Sequence, residues 1–189
     1  MIMKSKITLI VFIAVLLMGA CSQVKPEEKI TTIEHTNLKE LKAYSGTYVG
    51  DNSDVGAIIR LLPGGETMGE LDLTGENLHV TYDDGAKSIS ESAFQTFWFN
   101  GNRLDRKKLY FNALYLALLV PNAKEYRFTV ADEELAIPRE QLTAALSKEF
   151  KRFPQGDAQW DEKTVSTFID DHKGKLTEMA TNYHTYFEE

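Results

Sequence analysis

The chemistry available to this chain starts with Cys21, its only thiol, which follows directly on Leu17-Met18-Gly19-Ala20. One cysteine cannot form a disulfide within the chain, so the thiol needs another fate. Asp51-Asn52-Ser53-Asp54-Val55-Gly56 places oxygen-bearing side chains at the first and third positions of a calcium loop and Gly at the sixth. The fifth position is Val55 and the twelfth is Leu62, where the ion requires a bidentate carboxylate, so helix capping is the expected role of these residues. Asp170, Asp171 and His172 are consecutive and diverge by about 100 degrees per residue on a helix, which prevents convergence on one ion. His35, His79, His172 and His184 are scattered, with no pair at the four-residue spacing of a helical zinc site. There is no nucleophile elbow, phosphate loop or dinucleotide-binding glycine motif, and no catalytic residue, cofactor or metal is expected. Tyr48, Asp51 and Asn52 form the expected binding surface. An acid-base role for Asp51 beside Tyr48 is the enzymatic alternative.

The residues before Cys21 explain the thiol. Lys4 and Lys6 form a basic start, and from Ile7 to Ala20 there is no charge and one hydroxyl, Thr8. This is the pattern of a cleaved signal peptide, and at 14 residues the apolar run is shorter than the roughly 20 needed to span a bilayer. Leu17-Met18-Gly19-Ala20-Cys21 resembles a bacterial lipobox, with Met18 where Leu is preferred. The expectation is cleavage after Ala20 and diacylglycerol on Cys21. Two or more acyl chains would hold the product on the extracytoplasmic face of its membrane.

The full chain has 189 residues, with 21 Lys+Arg against 28 Asp+Glu for a net charge of -7. Loss of Lys4 and Lys6 with the leader leaves 19 cations against 28 acids, a mature charge of -9. An acidic surface argues against nucleic acid as a partner. The length suits one domain, and 11% aromatic residues exclude a disordered chain. Residues 1–20 are assigned to the leader, 21–43 to the lipidated cysteine and a tether, and 44–189 to a single α+β domain. The tether composition, with Pro26 and several charges, predicts flexibility over 22–37.

Within the domain the pattern predicts a sheet of short mixed or antiparallel strands on a buried central helix, with a long amphipathic C-terminal helix. A short aromatic strand is expected over 44–50, then a helix capped at Asp51 to Ser53 and stopped before Pro63. Residues 68–73 and 78–82 flank Thr74-Gly75-Glu76-Asn77 as a hairpin. The aromatic run 94–99 predicts another strand. Residues 109–120 contain one strongly polar side chain, Asn112, and should form the buried helix, capped by Asp105. Residues 125–130 and 135–137 read as a second hairpin, followed by a helix through Phe150 with Pro138 in its first turn. Val165, Phe168, Ile169, His172, Leu176, Met179, Tyr183 and Phe187 make one stripe over 161–187. Trp98, Trp160 and the eight Tyr could furnish a recognition surface, with core packing as the default expectation.

Two stretches carry a resemblance to a known family. They are Tyr48-Val49-Gly50-Asp51-Asn52-Ser53-Asp54-Val55-Gly56, running on to Pro63, and Asn112 to Leu119 followed by Asn122-Ala123 and Tyr126-Arg127-Phe128. Together they resemble the domain of unknown function 4825, found in lipoproteins of Firmicutes, over about 44–142. The resemblance implies a domain type, an anchored location and a Gram-positive cell envelope, and it implies no reaction. The functional expectation is a membrane-anchored, non-enzymatic binding or sensory module for an envelope protein or peptide. An envelope hydrolase, or an assembly factor using the C-terminal helix, is the alternative.

Overall fold

The computed structural model describes residues 29–85 and 89–187. They form an α+β fold with a four-stranded mixed sheet, a separate two-stranded sheet and seven α-helices. The main sheet contains β1 (Met68–Asp72), β2 (Asn77–Tyr82), β5 (Glu125–Val130) and β6 (Glu133–Pro138), in the order β1-β2-β5-β6. Both hairpins are antiparallel, and the central β2–β5 pair is parallel, with Leu78 opposite Tyr126 and Val80 opposite Phe128. A parallel pair requires a crossover. Here it carries α3 (Glu91–Trp98), the short strands β3 (Phe99–Asn100) and β4 (Arg103–Leu104), and α4 (Arg106–Leu119).

Strand periodicity fixes which face of the sheet is covered. Leu78, Val80 and Tyr82 on β2 and Tyr126, Phe128 and Val130 on β5 are buried, while the residues between them are partly open. Helix α4 is buried at every position from Leu109 to Leu119. It packs against α6 (Glu162–Thr181), whose Val165, Phe168, Ile169, Leu176 and Met179 are buried. Tyr110 of α4 stacks on Tyr183 at 4.8 Å and Phe187 at 5.2 Å between ring centroids. The C-terminal stripe therefore covers the chain's own central helix. Its helix ends at Thr181, with a separate turn α7 (Tyr183–Tyr186), rather than running unbroken to 187.

The polar residue in α4 has partners. Asn112 Nδ2 donates to the Pro63 carbonyl at 3.0 Å and to the Tyr82 hydroxyl at 3.1 Å, joining helix, sheet and the loop after α2 (Asn52–Leu61). A second buried bond fixes the same loop: Trp98 Nε1 donates to Thr67 Oγ1 at 3.0 Å, and Thr67 Oγ1 donates to the Gly64 carbonyl at 2.7 Å. Gly64 has φ of 80°, and a Cβ there would lie 2.1 Å from the Trp98 ring, so both backbone angle and space require glycine.

Several expectations are corrected. Residues 44–50 form no strand; a 3-10 turn (Lys42–Tyr44) leads into irregular chain, because Thr47 N donates to the Leu119 carbonyl at the end of α4 and not to a neighbouring strand. The run 94–99 is mostly helix. Ser90 caps α3 by accepting from Ala93 N, and Phe94 and Trp98, four apart, bury the same side, so helical spacing and packing override the strand preference of aromatics. Asp105 precedes α4 without capping it, since its carboxylate pairs with Lys108 Nζ at 2.5 Å. Pro138 ends β6 and stands just outside α5 (Arg139–Glu149).

Of the stretch expected to be flexible, 22–37, residues 29–37 are ordered and 22–28 lie outside the described residues. Glu66 accepts from Thr31 N at 2.9 Å and from Thr31 Oγ1 at 2.6 Å, and Gly64 N donates to the Thr31 carbonyl. Asn37 then caps α1 (Leu38–Leu41), as its spacing to Glu40 predicts, and Leu41 is fully buried. The folded body thus includes residues assigned to the tether.

Replacement of Asn112 by Leu would keep the side-chain volume and leave the Pro63 carbonyl and Tyr82 hydroxyl unpaired in the core. The expected loss is about 2 to 4 kcal/mol, read as a fall in Tm of about 5 to 15 °C in thermal unfolding. An unchanged Tm would show that these bonds do not hold the loop.

Candidate functional site

The segment joining α1 to α2 alternates in and out. Thr47 and Val49 are 7% and 3% exposed, and Tyr48 between them is 63% exposed. Two bonds set this alternation: Thr47 N to the Leu119 carbonyl at 3.0 Å, and Val49 N to Asn122 Oδ1 at 2.9 Å. Both acceptors belong to the C-terminal end of α4 and the turn after it. With its neighbours held inward, Tyr48 has to face solvent.

Tyr48 does not stand alone. Its ring lies 4.5 Å, centroid to centroid, from that of Trp160, tilted by 37°. Trp160 follows a 3-10 turn (Gly156–Gln159) and precedes α6, and is 36% exposed. Tyr48 and Trp160 are the exposed large hydrophobic side chains among the described residues. The expectation of core packing holds for Trp98, fully buried, and is corrected for Trp160. Gly46 allows the approach: its φ is 82°, and a Cβ there would lie 2.9 Å from the Trp160 carbonyl oxygen.

Acidic residues stand close to both rings in the chain. Asp51, three residues after Tyr48, caps α2 by accepting from Asp54 N at 3.1 Å, and Asn52 is the exposed first residue of that helix. Trp160 N donates to the Asp157 carbonyl. Asp161 caps α6 through Thr164 N at 2.7 Å. Hydrogen bonds from the Thr164 side chain and backbone hold the Asp161 carboxyl below its ordinary range. Of the expected surface, Tyr48, Asp51 and Asn52 lie within five positions of one another and are open to solvent, while the pairing of Tyr48 with Trp160 was not expected. The two rings are 112 positions apart, and no local signal reports such a pairing.

The remaining candidates fall into structural places. His172 packs on Phe150 and Phe168 at 4.7 and 4.8 Å, His79 bonds Thr129 at 2.9 Å across strands, and His35 bonds Thr32 at 2.9 Å. Asp83 closes a turn by accepting from Gly85 N. Among the described residues no group of three or more His, Cys, Asp or Glu could hold a metal ion. No described helix is long and apolar enough to cross a membrane. Cys21 and the leader lie outside the described residues. Desolvation by burial pushes the Tyr82, Tyr115 and Tyr126 phenols well up, so these hydroxyls stay neutral.

A groove of about 590 Å³ lies elsewhere, between Ile30 and Ile33 of the N-terminal segment, Ala93 and Phe97 of α3, and Lys107 and Lys108 of α4. It shares no lining residue with the aromatic pair.

The sequence profile of a family described as Domain of unknown function (DUF4825) matches residues 41–143, just over half of the chain. No curated protein matches and no solved structure matches.

Two measurements check this geometry. Gly46→Ala forces a left-handed backbone and a contact with the Trp160 carbonyl, and should cost about 1 to 2 kcal/mol while shifting the emission of Trp160. The Asp161 carboxyl has a folded-state pKa below its unfolded value, so its stabilisation is present above the unfolded value and is lost as pH falls through the folded one. Asp161→Asn keeps a capping oxygen and should flatten that acid limb of the stability curve. An identical acid limb in the variant would remove Asp161 as its source.

Proposed function

The chain belongs to the family of the domain of unknown function 4825, and from that membership we propose that it is a lipid-anchored binding module on the extracytoplasmic face of a Gram-positive membrane. Cys21 is the residue that carries the anchor. The leader pattern before it and the lone thiol support this reading. The described body begins at Lys29, so seven residues, 22–28, separate it from Cys21, a span of at most about 25 to 30 Å. The body would sit close to the bilayer.

The observation that supports binding is the exposed Tyr48–Trp160 pair. Large aromatics are usually covered, and a pair in ring contact left in solvent is a typical recognition surface. Asp51 caps a helix beside Tyr48, and this cap accounts for the carboxylate without a proton-transfer role. The apolar stripe of α6 is occupied by α4, so the C-terminal helix offers no free apolar face of that kind to a partner. An envelope protein or peptide, or a ligand it displays, is the class of partner proposed.

Recovery of the lipidated protein from membranes after mild crosslinking tests the proposal. Wild type and Cys21→Ala are compared by fractionation and by mass spectrometry of the amino terminus, and wild type and Tyr48→Ala by the partners retained. The expected result is acylated Cys21, membrane retention lost in Cys21→Ala, and a partner lost in Tyr48→Ala. An unmodified amino terminus would overturn the anchor, and equal capture by Tyr48→Ala would overturn the binding surface.

A further inference from the structure

We propose that the Tyr48–Trp160 pair, with Asp51, Asp54, Asp157 and Asp161 close to it in the chain, binds an organic ammonium cation displayed by the partner or ligand; this rests on the binding surface proposed above. An aromatic face attracts a cation through its ring quadrupole, most strongly for Trp. Two rings from distant parts of the chain meet here at 4.5 Å, and each keeps surface open to solvent.

The charges nearby select the sign of the ligand. Asp51 and Asp54 open the helix after Tyr48, and Asp157 and Asp161 flank Trp160, in a chain of net charge -7. Asp51 and Asp161 are fixed in place by their caps, and the Asp161 carboxyl remains ionised to low pH. Two cations on neighbouring elements have partners of their own. Lys42 pairs with Asp170 at 2.5 Å, and Arg139 Nη2 donates to the Ala117 carbonyl at 3.1 Å and Gln159 Oε1 at 2.9 Å. Lys163 lines a cleft with Arg152 and also lies near enough to the Asp161 carboxyl to offset part of its charge. An anion would be repelled from the pair. A neutral ring could stack on it but would gain nothing from the acidic residues nearby in the chain.

The affinity of a lone cation at an exposed pair is expected to be on the order of millimolar. Choline is the probe, and 3,3-dimethylbutanol is its neutral counterpart of the same shape. Both are titrated into the chain from residue 21 carrying Cys21→Ser, which keeps every residue of the folded body, with Trp160 emission as readout. Trp160→Phe leaves only the buried Trp98 and supplies the baseline. Choline should bind at least about tenfold more tightly than the alcohol. Tyr48→Ala should weaken it about threefold or more. Asp51→Asn combined with Asp157→Asn should weaken it by a similar factor, and added salt should do the same. Asn caps a helix as well as Asp does, so the fold is retained at position 51.

Equal binding of choline and the alcohol would overturn the proposal. So would a response to an N-acetylglucosamine oligomer without one to choline. If Tyr48→Ala still loses its membrane partner while choline does not bind, the cation assignment fails and the surface stands. If capture is unchanged in Tyr48→Ala, the surface itself fails.

Discussion

One buried helix determines where the chain can present anything to its surroundings. Helix α4 is covered on every side, so its C-terminal carbonyls and the turn behind it must find partners inside the protein. They find them in the segment before α2, where Thr47 N and Val49 N are bound. Those two bonds pull Thr47 and Val49 inward and leave Tyr48 outside, where Gly46 lets the Trp160 backbone come close enough for the rings to meet. The exposed pair follows from how the core is closed.

The same helix organises the opposite end of the fold. Asn112 reaches the loop between α2 and β1 and the end of β2 together, and Trp98 bonds that loop a second time through Thr67. Through Gly64 and Glu66 the loop also receives the N-terminal segment of the described residues at Thr31. A pull on the amino terminus would thus be felt first at a loop pinned to the core by side-chain hydrogen bonds.

Much of this could be read from the sequence because the signals are local. The nearly unbroken apolar run of 109–120 can only be a buried helix at that length, and the alternation in 78–82 and 125–130 fixes which strand face is covered. Asn37 and Asp51 stand where short oxygen-bearing side chains cap helices, and they do. The failures share a cause. Phe94 and Trp98 favour a strand by type, and only packing against Tyr82 and the Gly64 loop makes them helical. Thr31 to Glu66 and Tyr48 to Trp160 are long-range pairings between segments that look polar or irregular in isolation. The ends of the expected binding surface were visible, and its second ring was not.

The central claim is that Tyr48 and Trp160 form one preformed aromatic surface in water. Proton NMR of the folded chain reads this directly. Cross-peaks between the Tyr48 and Trp160 rings are predicted. The Trp160 indole proton should also exchange faster with water than that of Trp98, which is buried and bonded to Thr67. Absent ring-to-ring cross-peaks, or equal protection of the two indoles, would contradict it.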